Sequence, residues 1–447
     1  MASWCRWLML LTLVSSIKLL LAIPVNSMSR NGGGFKATLR RVDFNGNFTT
    51  LERLQRAMTR GLPADQRLAA GNDVRSAVIP VPGEFLITLG FGSPQVWLDY
   101  IMDTGSDMIW THCLDNNSGS TDDYNPQNSS SFSELPCSDN HCNSTALPSL
   151  SCDNNSSVCA FNITYGSGRT NEGKLGRDSI TFGNNITAQS VIFGCGHVHD
   201  RWGQSQPPPA GSSGIVGLGR GKMSLISQTK MPIFWYCLPG MASLTQSTLQ
   251  VGLLGGGESN DPMIAAAYSQ EVVKTTPLLP NDTHYSIRLK GISVGHKRLH
   301  LPEAEFESNP DGSSGIVVDS GTPLTYLQPK VFAALKEELI SQLVVTEYDA
   351  GAAITGLDLC FTMPLQSDDK IFPKLSFHFD GDLDLELPKE NYFVDLETHN
   401  MSCLAMLNTS KTGGMTIFGN IQQQNLNVTY DLTQNTLSFK SARCNQP

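Results

Sequence analysis

The chain has 447 residues, 40% apolar and 16% charged, a balance that excludes a disordered polymer and allows two or three domains. A formal net charge of −10, with no basic cluster in the body, excludes a nucleic-acid binder. The charge is uneven: residues 30–76 hold nine Lys/Arg against four Asp/Glu, residues 1–29 add two cations, and the remainder carries −17.

Arg6 followed by an apolar run from Trp7 to Ile23 predicts a secretory signal over residues 1–23. Lys18 interrupts that run and small residues follow it, which argues against a spanning anchor; no later stretch is long and apolar enough to span. Residues 24–76 form a basic leader in which Gly34 to Arg41 reads as a strand and Thr50 to Ala57 as an amphipathic helix. Of the 11 cysteines, Cys5 falls in the signal, and the even remainder fits an oxidised framework. About a dozen Asn-x-Ser/Thr sequons, among them Asn128, Asn143, Asn162, Asn185, Asn281, Asn400 and Asn408, predict a glycosylated surface.

The body opens at Gly83 to Gly92, an alternating apolar and small run that reads as a strand. Between Trp110 and Tyr165 lies a stretch rich in Ser, Asn and Cys, with so little apolar surface that disulfides are expected to hold it. Ile163-Thr164-Tyr165-Gly166-Ser167-Gly168 fits a hairpin tip. Short β-prone runs recur at Ser179 to Gly183, Ser190 to Cys195 and Gly214 to Gly219, so the fold is expected to be mostly β. Near residue 272 the chain crosses to a second lobe, giving expected lobes of 77–272 and 273–447. There Tyr285 to Leu289 reads as a strand, and Pro329 starts a helix whose Val331, Leu335, Leu339 and Leu343 make a core stripe. Met415 to Asn420 and Leu426 to Asp431 close the second lobe as strands.

The two halves share one device. Asp103-Thr104-Gly105-Ser106 follows the apolar segment Leu98, Tyr100, Ile101 and Met102; Asp319-Ser320-Gly321-Thr322 follows Ile316, Val317 and Val318. At ordinary residue frequencies Asp-Thr/Ser-Gly arises by chance roughly 0.2 times in such a chain. Here it occurs twice with matched flanks, and an apolar-apolar-Gly run follows each, Ile215-Val216-Gly217 and Ile417-Phe418-Gly419, at about 110 and about 100 residues. The spacing implies an internal duplication with one carboxylate from each lobe at the seam. Two carboxylates held close share a proton, so one acts as base towards a water and the other as acid, with no metal or cofactor.

Other signals are weaker. Cys137, Cys142, Cys152 and Cys159 have zinc-like spacing, but export favours disulfides. His197-x-His199 lacks a third ligand nearby in sequence. Gly217-Leu218-Gly219-Arg220-Gly221 has the spacing of neither phosphate-binding fingerprint.

With these motifs in this order, the chain resembles the pepsin-type aspartic proteases, themselves the standard example of a proton shared by two carboxyls. Asp103-Thr104-Gly105-Ser106-Asp107 with Trp110, Phe193-Gly194-Cys195-Gly196, Gly217 to Gly221, Tyr236-Cys237-Leu238 and Asp319 to Thr322 resemble the nepenthesin-type plant branch, as does the Cys-rich insertion 113–159. The resemblance implies a bilobal pepsin-like fold, a secreted, monomeric endopeptidase in wall space or vacuole, polypeptide substrates, and a propeptide, 24–76, acting as intramolecular inhibitor. It implies Asp103 and Asp319 as the catalytic pair, Thr104 and Ser320 as cross-braced hydroxyls, and Ser106 and Thr322 as hydrogen-bonding their outer oxygens. Tyr165, on the flap, and Trp110, Gly105 and Gly321 would bind substrate; Ser167 and Arg169 stand where the family more often has Asp and Ser. The implied disulfides are Cys113 with Cys195, Cys137 with Cys159, Cys142 with Cys152, Cys237 with Cys444, and Cys360 with Cys403. A silent relative acting as a binding or inhibitor protein is the rival expectation; such relatives often lack one catalytic Asp, and both are present here.

Overall fold

The computed structural model describes residues 35–42, 48–54, 85–114, 123–142, 149–153, 155–165, 170–183, 185–199, 205–206, 212–241, 247–251, 274–280, 284–307, 315–343, 351–362, 371–396, 399–412 and 414–444. The signal, the tip residues Ser167 and Arg169, and the crossing near residue 272 lie outside these.

Strand β1 (Phe35–Arg41) is followed by β2 (Phe85–Phe91), which turns back into β3 (Val96–Asp103) with Leu86 opposite Ile101. Next come β4 (Ile109–His112), a Cys-rich hairpin of β5 (Leu150–Asp153) and β6 (Val158–Thr164), and the long pair β7 (Thr170–Thr181) and β8 (Thr187–His199). Strand β9 (Gly214–Gly217) inserts between β3, parallel, and β4, antiparallel, so that Gly217 lies beside Asp103. This crossing is tight. A Cβ on Gly217 would sit 2.3 Å from the Asp107 carbonyl carbon, so only glycine passes.

The first half ends in β10 (Ile233–Cys237) and β11 (Ser247–Val251). In the second lobe β12 (Ile316–Val318), β13 (Thr325–Leu327) and β14 (Ile417–Phe418) repeat the arrangement: β14 runs parallel to β12 and antiparallel to β13. A Cβ on Gly419 would meet the Leu324 carbonyl oxygen at 2.3 Å, the counterpart of the Gly217 constraint. Between them α1 (Pro329–Gln342) carries Pro in its first turn and buries Val331, Leu335 and Leu339. Strand β15 (Leu426–Asp431) pairs with β10 on one edge and with β16 (Thr436–Ser441) on the other, joining the two halves in one sheet. One cluster of buried side chains runs through both lobes.

The leader does not stand apart. Strand β1 is hydrogen-bonded between β11 and β2, with Ala37 and Leu39 buried in the core. Arg41 is buried too, donating to the carbonyls of Pro239 and Met241, while Arg40 pairs with Asp99. Residues 50–54 are helical behind a capping box, Thr49 receiving the Glu52 N–H and Glu52 receiving the Thr49 N–H. Leu54 is buried among second-lobe residues including Leu324, Tyr326 and Leu357.

Two expectations for the Cys-rich stretch are corrected. Its apolar burial is not negligible, since Tyr124 and Leu135 are almost wholly enclosed. The expected pairs Cys137–Cys159 and Cys142–Cys152 are replaced by Cys137–Cys152 and Cys142–Cys159. The turn from Asp139 to Cys142 carries Cys142 inward to the buried Cys159, whereas Cys137 stays beside the hairpin edge and meets the exposed Cys152. The other bridges are Cys113–Cys195, Cys237–Cys444 and Cys360–Cys403.

Candidate active site

Asp103 ends β3 and Asp319 follows β12, each where a buried strand gives way to a Gly-containing turn. That turn aims backbone donors at the carboxylate. The Gly105 N–H donates to Asp103 Oδ1 at 2.9 Å, and the Ser106 hydroxyl donates to Oδ2. In the other half the Gly321 N–H donates to Asp319 Oδ1 at 2.7 Å and the Thr322 hydroxyl to Oδ2 at 2.5 Å.

Beneath the carboxyls the turns lock together. The Thr104 N–H donates to Ser320 Oγ at 3.1 Å, and the Ser320 N–H to Thr104 Oγ1 at 2.9 Å. Each hydroxyl in turn donates across the seam, Thr104 to the Val318 carbonyl and Ser320 to that of Met102. All four bonds are buried, so no water competes for them.

This brace brings together two acids 216 residues apart along the chain, within hydrogen-bonding reach of each other. A Cβ on Gly105 would lie 2.7 Å from the Asp319 carboxyl carbon, and one on Gly321 2.4 Å from Asp103 Oδ1. Each glycine therefore makes room for the opposite acid. Burial first, then the Asp319 charge, push the Asp103 carboxyl up to about 7, against the pull of Ser106 and Gly105. The pair keeps one proton where isolated carboxyls would have lost theirs.

Tyr165 follows β6 and faces Asp103, whose charge adds to burial in holding the phenol proton on. Its hydroxyl accepts from the Trp110 indole N–H at 2.8 Å, and both side chains join an apolar wall with Met108, Phe161 and Ile163. Asp107 turns away from the pair and accepts the Gly221 N–H at 2.7 Å; burial raises its carboxyl, with Gly221 and His284 opposing.

Sequence reading missed the layer below. Gln423, fully buried, donates from Nε2 to the carbonyls of Asp319 at 3.0 Å and Phe418 at 2.8 Å. Its Oε1 accepts the Tyr236 hydroxyl at 2.5 Å, and that hydroxyl meets Tyr430 Oη at 3.0 Å. The one signal available was the run Gln422-Gln423-Gln424 between two apolar strands, which local patterning reads as a polar turn. A second catalytic-looking chain also exists: Ser293 Oγ lies 2.7 Å from His378 Nε2, and His378 Nδ1 2.6 Å from Asp384. It crosses three strands of a separate sheet with Asp384 62% exposed, so water screens it.

A family model described as Xylanase inhibitor N-terminal matches residues 85–253, and one described as Xylanase inhibitor C-terminal matches residues 284–441. The aspartic proteinase nepenthesin-1 of Nepenthes gracilis is 37% identical over 449 residues, covering 97% of each chain. Nepenthesin-2 of the same plant is 34% identical over 419 residues, covering 92% of this chain and 90% of its own. Among solved structures, conglutin gamma, a basic 7S globulin from lupine seeds, matches with a TM-score of 0.66 at 15% identity over 92% of this chain and 95% of its own, a likeness of fold. With a duplicated Asp-Thr/Ser-Gly turn, a mostly β bilobal body and near full-length identity to the two nepenthesins, the chain belongs to the nepenthesin-type plant aspartic proteases.

Proposed function

We propose that this protein is a secreted aspartic endopeptidase, active in acid and made as a zymogen. The observation that carries the reading is the brace between the two turns, which sets Gly105 against the Asp319 carboxyl and Gly321 against that of Asp103; burial and the Asp319 charge raise the Asp103 carboxyl to about 7. In the singly protonated pair the ionised carboxyl takes a proton from water as it attacks the scissile carbonyl. The protonated one donates to the carbonyl oxygen, giving a tetrahedral diol. The carboxyl that took the proton from water then passes it to the amide nitrogen while the other takes a proton from a diol hydroxyl, so the amine leaves as the C–N bond breaks and the pair returns to its starting state. The Gly105, Ser106, Gly321 and Thr322 donors hold the four carboxyl oxygens in one orientation throughout, which saves reorganisation at the moment of reaction. Tyr165, tied to Trp110, closes the apolar side and favours bulky apolar residues at the cut.

The leader supports the zymogen reading through its placement: β1 and Leu54 are packed into both halves of the body. The Arg40–Asp99 ion pair is one of the contacts holding β1 in place. The family model's description favours a second reading, a binding or inhibitor protein without catalysis. Both acids, with all their donors, favour the enzyme.

The test is hydrolysis of a denatured protein across about pH 2 to 6, before and after leader removal, with Asp103→Asn and Asp319→Asn controls and a transition-state peptide inhibitor. The enzyme reading expects activity after removal, blocked by inhibitor and absent in both variants. No hydrolysis at any of these pH values after removal overturns it in favour of the binder. A precursor fully active at neutral pH overturns the zymogen part.

A further inference from the structure

Beneath the paired turns a directed hydrogen-bond chain runs from one half of the molecule to the other. Tyr430 stands on β15, Tyr236 on β10, and Gln423 in the turn between β14 and β15; all three side chains are fully buried. Tyrosine has one O–H to give, and Tyr236 gives its own to Gln423 Oε1. Tyr430 Oη, 3.0 Å away, therefore donates towards Tyr236. Gln423 ends the chain with both amide hydrogens in use, on the carbonyls of Asp319 and Phe418. The Phe418 carbonyl also receives the Asp319 N–H at 3.1 Å, so the amide grips the joint at which β14 fixes the backbone of the second acid.

Resting on the endopeptidase reading, we propose that Gln423 is a positioning residue for the reaction: with Tyr236 behind it, it holds the Asp319 turn at the spacing and tilt that let the two carboxyls share a proton. Three features mark it as more than core filling. Both hydrogens and the oxygen of the amide are matched, the hydrogens to the carbonyls of Asp319 and Phe418 and the oxygen to the relay, which gives it one orientation. The relay crosses between strands from opposite halves, so it senses how the lobes sit relative to one another. And the Asp319 carbonyl that Gln423 holds shares its peptide unit with the Ser320 N–H of the Thr104–Ser320 brace, so slack in one loosens the other.

The variants are Gln423→Met, which keeps the length and removes all three bonds, and Tyr236→Phe, which removes only the hydroxyl. Each is made in the full chain, processed, and checked for native circular dichroism; Tyr430→Phe, at the far end of the relay, serves where Gln423→Met does not fold. The expected result is a kcat at least about ten-fold lower for Gln423→Met with KM within about two-fold, since small misplacements of reacting groups cost rate rather than binding. Tyr236→Phe moves in the same direction by less, and the double variant is no worse than Gln423→Met alone. A second readout needs no turnover. Asp103 is faced by Asp319, Tyr165 and Ser106, and if the acids drift apart its proton is released more easily, so the loss of stability on going from pH ~4 to pH ~7.5 shrinks by about half in Gln423→Met. A wild-type protein with no hydrolytic activity overturns the endopeptidase reading, and the stability profile still decides the relay. Variants with wild-type kcat, or with a wild-type stability profile where kcat is not measurable, overturn the positioning role.

Discussion

Replacing Asp103 by Asn is expected to abolish hydrolysis and to make the protein more stable, two effects that a structural carboxylate would not combine. Asn keeps an oxygen for the Gly105 N–H and adds no bulk, so the change removes mainly the charge. In the native state burial and Asp319 raise the Asp103 carboxyl from 3.8 to about 7. Below 3.8 folded and unfolded chains both carry the proton, so this group contributes no pH dependence. Between 3.8 and about 7 the unfolded chain releases the proton while the native pair retains it, and stability falls as pH rises; above about 7 the penalty is complete. A rise of this size corresponds to about 4 kcal/mol. The acid is partly accessible in the cleft, and relaxation lowers the figure to about 2 kcal/mol. Urea denaturation at pH ~7.5, where self-digestion is slow, should place Asp103→Asn about 2 kcal/mol above the wild type, with the difference fading towards pH ~4. A variant less stable than the wild type at both values would mean that the carboxylate is a net structural asset, and the shared-proton account of the pair would fail.

Three further outcomes follow from the geometry. In a profile of kcat/KM against pH, activity should decline as pH passes through about 7, because the pair then loses the proton it must donate; undiminished turnover at pH ~8 would contradict this. Peptide mapping without reduction should recover Cys137 joined to Cys152 and Cys142 joined to Cys159, and replacing both members of the second pair by Ser should cost about 3 kcal/mol in chemical denaturation; recovery of Cys137 with Cys159 would refute the crossed arrangement. Gly217→Ala should destabilise by roughly 3 kcal/mol or prevent secretion, since its Cβ meets the Asp107 backbone at 2.3 Å, whereas Gly183→Ala, whose Cβ meets only the Lys36 oxygen at 3.4 Å, should change the melting temperature little.

What the sequence by itself determined was local chemistry repeated at a distance. Strand, Asp, a hydroxyl residue, Gly: each step is a short-range preference, so both turns at Asp103 and Asp319, the β-rich body, and the Val331 to Leu343 stripe could be read without coordinates. Only the tertiary structure decided how distant segments pass one another. Cys137, Cys142, Cys152 and Cys159 sit so close in sequence that spacing allows every pairing among them, and the choice was made by which sulfur the turn at Asp139 carries inside. Strand β1 found a place between β11 and β2, whose residues lie more than two hundred and more than forty positions away, a pairing that no local pattern encodes. The same holds for Gln423 and Tyr236: a glutamine in a polar run looks like surface, and it becomes part of the site because two halves of the chain close over it and leave its amide no solvent to bond with, only the backbone of Asp319 and Phe418 and a phenol 187 residues away.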